Sequence, residues 1–168
     1  GATERAEAVF RSLLETQPRQ GPVMAELARL AHERGDTDAA LRWLSDLLEL
    51  EPWRSDAVVQ LAELRFRRGE TAQATALLRT VISRDSRDHR ARRLLIRVLL
   101  AAGNRIEARE QLGSLHAAPG DTVRIAEIAE LALAAGDFEL AEAEARRLLD
   151  IDATNPDARF VLVSASRG

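Results

Sequence analysis

The sequence predicts an all-α fold, an α-solenoid of antiparallel helix pairs, on three observations. First, Gly35-Asp36, Gly69-Glu70, Gly103-Asn104 and Gly136-Asp137 recur at intervals of 34, 34 and 33 residues. Glycine just past a helix takes the left-handed conformation without steric cost, and the polar residue after it is suited to cap the next helix. Each site therefore predicts a helix–turn–helix hairpin. Second, apolar residues upstream of each glycine fall at helical spacing: Met24, Leu27, Ala28, Ala31; Val58, Leu61, Ala62; Leu95, Ile96, Leu99; Ile125, Ile128, Ala129, Ala132. Third, five residues after each glycine stands an alanine (Ala40, Ala74, Ala108, Ala141), followed four and seven residues later by Leu44 and Leu47, Leu78 and Val81, Leu112 and Leu115, Ala145 and Leu148. A small residue at a helix crossing lets two helices approach, and the larger ones a turn away interdigitate. No alternation of strand type competes with this pattern.

Taken in order, these elements have a specific likeness. Residues 21–54, with Met24, Leu27-Ala28, Ala31, Gly35-Asp36, Ala40, Leu44, Leu47 and Pro52, resemble a tetratricopeptide repeat. Three more copies in phase follow at 55–88, 89–121 and 122–155. Residues 1–20 match a second helix alone through Ala6, Phe10, Leu13 and Pro18, and residues 156–168 match a first helix alone through Ala158, Leu162 and Val163. The resemblance covers nearly the whole chain and implies a single array over 1–168, with ten helices in a right-handed superhelix. The departures are local. Positions that usually hold an aromatic residue carry Met24, Val58, Arg92 and Ile125, the closing proline of the second copy is Ser86, and the third copy is one residue short. That third copy is expected to be the weakest, with Gly113 inside its second helix at a cost of about 1 kcal/mol relative to alanine.

Composition narrows the function classes. The 168 residues are 46% hydrophobic and 30% charged, which excludes a disordered chain, and no stretch approaches eighteen uninterrupted apolar residues, so membrane insertion by this segment is not expected. A net charge of −3 argues against a nucleic-acid module, since those are usually basic. Cysteine is absent, which removes disulfides, thiolate metal sites and cysteine nucleophiles. The 24 basic residues are all arginine, a bias that GC-rich codons produce and that points to a bacterial source. Residues 1–168 contain no targeting segment, so bacterial cytoplasm and periplasm both stay open.

Catalytic and metal constellations are not found. His32, His89 and His116 are far apart in sequence, and the zinc-protease-like start His32-Glu33 ends at Asp36 where a second histidine is required. No phosphate loop, nucleophile elbow or dinucleotide glycine fingerprint occurs. The expectation is a chain that is not an enzyme and holds no cofactor.

The resemblance implies instead a groove lined by first helices. Carried over by repeat position, its lining is Ala25, Arg29, His32 and Glu33; Val59, Glu63, Phe66 and Arg67; Arg90, Arg93, Arg97 and Leu100; Ala126, Glu130 and Leu133. Arg90, Arg93 and Arg97 are three and four residues apart, so one side of a helix presents three guanidinium forks suited to carboxylates or phosphates, and Phe66 offers an apolar anchor. Three readings stay open: Arg87, Arg90 and Arg92 pair with Asp85 and Asp88 on a wet surface, the cluster takes an acidic or C-terminal peptide, or it takes a phosphate or nucleic acid. The chaperone-type carboxylate clamp of the family is not matched, because its positions carry Ala25, Arg29, Gln60, Arg90 and Leu94.

Charge is uneven. Residues 121–157 hold ten acids and three arginines, while 1–120 hold seventeen acids and nineteen arginines, an asymmetry suited to steering a partner. Val9, Phe10, Leu13 and Leu14 at one end, and Phe160 to Val163 at the other, predict weak self-association through terminal helices. The expected function is a non-catalytic scaffold that binds a partner protein or peptide, which the resemblance associates with bacterial secretion, envelope or polysaccharide-export assemblies. The alternative is an accessory segment of a larger enzyme such as a glycosyl- or sulfo-transferase.

Overall fold

Left-handed backbone at four glycines sets the rhythm of the molecule: φ is +77° at Gly35, +80° at Gly69, +77° at Gly103 and +72° at Gly136. A computed structural model describes residues 2–167, with side chains from residue 5, and Gly1 and Gly168, the outer limits of the expected half repeats, lie outside the described residues. Among the described residues there are ten helices and no strand. The chain divides into two compact units, residues 1–84 and 85–168.

The first unit contains α1 (Ala2–Thr16), α2 (Gly21–Glu33), α3 (Thr37–Leu50), α4 (Ser55–Arg67) and α5 (Thr71–Arg84). Helices α2 and α3 form one hairpin and α4 and α5 another; α1 packs on α2, and α3 on α4. Its core joins Met24, Ala28, Ala31, Ala40, Leu44, Leu47, Leu61 and Leu64, residues of the two stripes seen in the sequence. The side chain of Asp36 caps α3 by accepting from the Ala39 amide at 2.9 Å. Glu70 does not repeat this. Its longer side chain reaches back to Arg65 at 2.7 Å and Arg68 at 3.1 Å, closing the turn with ion pairs.

The second unit contains α6 (His89–Ala101), α7 (Arg105–Leu112), α8 (Thr122–Ala135), α9 (Phe138–Ile151) and α10 (Pro156–Ala165). Hairpins α6–α7 and α8–α9 pack through α7 on α8 and α6 on α8, and α10 rests on α8 and α9. Ile125, Leu148 and Ala158 meet where those last three helices join. Asp88, Asn104, Asp121, Asp137 and Asn155 each cap the helix that follows, which holds each first turn in place.

Two sequence expectations are corrected here. Gly113 is not inside a helix: α7 ends at Leu112 and Gly113 is its C-cap, at φ −57°. Pro119, which cannot donate, and Gly120 (φ +85°) follow, so the helix does not resume before the Asp121 cap of α8. Arg92 is not a surface residue. It is 6% exposed, at the position where Met24, Val58 and Ile125 are also buried.

Candidate functional site

The predicted lining residues fall in both units, and each unit presents its own face. In the first unit, Arg29, His32 and Arg67 are exposed, while Glu63 and Phe66 are half-buried. The charges are matched internally. Arg29 donates to Glu26 at 2.9 Å and Glu33 at 2.5 Å, and these hydrogen bonds, Glu26 first, hold its guanidinium above the ordinary arginine pKa. Arg67 donates to Glu63 at 2.8 Å. Spacings of three and four residues on a helix bring such pairs together, so their charge is largely spent within α2 and α4. Val59, expected on the lining, is 2% exposed and belongs to the core.

A cavity of about 190 Å³ opens on this face between α2 and α4, lined by Ala25, Arg29, Leu44, Leu47, Ala57 and Gln60 and rimmed by Glu26, Arg54 and Asp56. Arg54 donates to Glu51 at 3.1 Å and to Asp56 at 3.3 Å. Its signal in the sequence is the pair of small residues, Ala25 and Ala57, where larger side chains would fill the space.

The face of the second unit is different in kind. Asp88 caps α6 through the Ala91 amide at 2.8 Å, and Asp85 accepts from the Arg87 amide at 2.9 Å, so both carboxylates that were candidates to neutralise the arginines serve the backbone. Arg92 points inward. Its Nη1 donates to Gln111 at 2.6 Å and its Nη2 to the Ser86 carbonyl at 2.8 Å. Arg93 is half-buried and donates to Glu127 of α8. Arg90 and Arg97 are exposed, and neither side chain has a hydrogen bond or ion pair among the described residues. Leu100 is half-buried on the same helix, and Glu130 is exposed on α8. The three expected forks are thus two available ones flanking one that is engaged.

A second cavity, of about 270 Å³, lies where α7 stops short, lined by Leu112, Gly113, Leu115, His116, Ala117, Leu140, Glu144 and Arg147. Arg147 bridges it, donating to the Ala117 carbonyl at 2.9 Å and pairing with Glu144 at 3.3 Å. Among the described residues, no group of three or more acidic or histidine side chains converges as metal ligands do, and no helix is long and apolar enough to cross a membrane.

A family model described as tetratricopeptide repeat matches residues 1–54, 31–95 and 65–131. No curated protein matches the chain in sequence. Among solved structures, a tetratricopeptide repeat protein from Parabacteroides merdae is similar over 98% of this chain and 69% of its own, with a TM-score of 0.78 at 16% identity. YrrB, described as having an unusual peptide-binding site, is similar over 94% of this chain and 82% of its own, with a TM-score of 0.75 at 15% identity. TTC0263, a thermophilic protein of Thermus thermophilus, is similar over 99% of this chain and 91% of its own, with a TM-score of 0.65 at 22% identity. Likeness at these identities is a likeness of fold.

Proposed function

The chain belongs to the tetratricopeptide-repeat family, and from that premise we propose that it is a non-catalytic scaffold whose α6 face binds an acidic peptide segment of a partner protein. The observation that carries this reading is the pair Arg90 and Arg97, both exposed and without a partner among the described residues, on a chain whose other arginines are mostly engaged by carboxylates or carbonyls. A guanidinium presents a planar fork of donors that matches a carboxylate in geometry and charge. The peptide-binding site described for YrrB supports the class of ligand. The division into full repeats at 21–54, 55–88, 89–121 and 122–155, with half repeats at either side, is part of the same reading.

The test is a titration with a short glutamate-containing peptide. The double variant Arg90→Ala/Arg97→Ala is expected to lose about tenfold or more in affinity, since hydrogen bonds to charged groups are worth roughly 1.5–3 kcal/mol each. Binding to the unaltered protein is expected to weaken as salt rises, with screening over about 10 Å at 0.1 M. Unchanged affinity in the double variant would remove the site.

Self-association through a second copy belongs to the same proposal. Phe160 is 68% exposed and Val163 50% exposed on α10, and Val9 is 66% exposed on α1. Covering one large apolar side chain gains roughly 1.5–3 kcal/mol. Light scattering from micromolar to millimolar concentration is expected to show a rising mass that Phe160→Ser abolishes.

A further inference from the structure

Resting on the reading of α6 as an acidic-peptide face, we propose that Glu127 sets the spacing of the ligand: by engaging Arg93 it leaves only Arg90 and Arg97 available, so the face prefers an extended peptide with two carboxylates three residues apart.

The geometry is that of one helix. At 1.5 Å rise per residue, Arg90 and Arg97 are roughly 10.5 Å apart along α6, and Arg93 lies roughly 4.5 Å from Arg90. A polyproline-type extended peptide rises about 3.1 Å per residue with three residues per turn, which places carboxylates three residues apart on one side at roughly 9.3 Å. That matches the outer pair. Two adjacent carboxylates, with Cα atoms about 3.8 Å apart, instead come nearest to the spacing of Arg90 and Arg93.

What disfavours the closer spacing is a contact between neighbouring hairpins. Glu127 reaches Arg93 from α8, and the two side chains are 28% and 32% exposed. The Nε of Arg93 is buried without a hydrogen-bond partner, and Glu127 is its one acceptor among the described residues. An incoming carboxylate at Arg93 therefore meets a guanidinium whose charge Glu127 already offsets, and it can take Nη1 only by displacing a charge-assisted bond. At Arg90 and Arg97 it displaces only water. Glu127 thus acts as an internal ligand, and the face reads separation as well as charge. Glu130, one turn further along α8, is exposed and has no ion pair among the described residues, so it supplies the same formal charge nearby without this role.

The experiment uses two blocked peptides of identical composition and charge, Gly-Glu-Pro-Pro-Glu-Gly and Gly-Pro-Glu-Glu-Pro-Gly, titrated by NMR into the full chain and its variants. Because both probes carry two negative charges, any general change in field moves them equally, and the ratio of their affinities isolates spacing. The unaltered protein is expected to favour the spaced peptide about fivefold, and Glu127→Gln to bring the ratio within about twofold by improving binding of the adjacent-acid peptide. Glu130→Gln should shift both peptides together. In an Arg93→Gln background, Glu127→Gln should no longer alter the ratio, which separates release of Arg93 from loss of an acid. Circular dichroism melting verifies that each variant is folded, and in the unaltered protein the Arg93 Nε–H signal should stay in place while those of Arg90 and Arg97 move. A ratio unchanged by Glu127→Gln overturns the spacing role, and does so without touching the broader reading if Arg90→Ala/Arg97→Ala still loses affinity. No binding of either peptide to the unaltered protein or to Glu127→Gln overturns both.

Discussion

Arg109 donates its Nε to the carbonyl oxygen of Ala135 at 2.9 Å, so a side chain of α7 closes the C-terminal end of α8. Its Nη2 donates to the Gly136 carbonyl as well. The last carbonyls of a helix have no partner within it, and a cation there satisfies both their lone pairs and the negative end of the helix dipole.

This arrangement makes Gly136 unlike the other hairpin glycines. A Cβ at Gly136 would lie 2.8 Å from Nη2 of Arg109, whereas one at Gly103 would meet nothing within 4 Å. Both substitutions to alanine incur roughly 1–2 kcal/mol for left-handed backbone. Gly136→Ala should cost about 1 kcal/mol more, because the flexible guanidinium must move and release its carbonyls. In an Arg109→Ala background the two substitutions should become equal in urea unfolding. A persistent difference there would place the extra cost in the backbone.

The early end of α7 predicts uneven hydrogen exchange. Beyond Leu115, whose amide donates to Leu112 at 2.8 Å, residues 116–120 donate no backbone hydrogen bond to another backbone group among the described residues, and bonding resumes at Asp121. Helix α3 has no such gap over 40–50 and carries the fully buried Leu47. Amides of 109–121 should therefore exchange faster than those of 40–50, since opening free energy follows local burial and bonding. Equal protection would mean that the segment opens only with its whole unit.

At the α9–α10 turn, Asp152 accepts from the Thr154 hydroxyl at 2.7 Å and from the Thr154 amide at 2.9 Å. These bonds, the hydroxyl first, hold its carboxyl below the ordinary range. A carboxylate whose folded-state pKa is lowered stabilises the turn above the ordinary pKa, and that contribution is lost as pH falls through the folded-state value. Thr154→Ala removes the hydroxyl and keeps the amide, so a carbon-detected titration should find the Asp152 midpoint moved upward, toward the ordinary carboxylate. An unmoved midpoint would assign the shift to the amide alone.

The hairpins were legible from residues because their causes are local. Gly35, Gly69, Gly103 and Gly136 all adopt the left-handed backbone that a helix exit requires, and Asp36, Asn104 and Asp137 cap with short side chains that reach their own amides. The apolar stripes were legible too, since a 3.6-residue period selects the same face whatever it packs against. Pairing across helices was not. That Arg93 is taken by Glu127, 34 residues on, while Arg90 and Arg97 are left available, depends on the distance and rotation between two packed helices, which no periodicity specifies. The burial of Arg92 against Gln111 and Ser86 has the same origin, although its position in the repeat already pointed inward. By itself the sequence determined the four glycine turns and the apolar stripes of the hairpins they join, because backbone conformation and capping act over a few residues. Only the tertiary structure decided which charges are spent and which remain for a ligand, because a long side chain finds its partner through space and not along the chain.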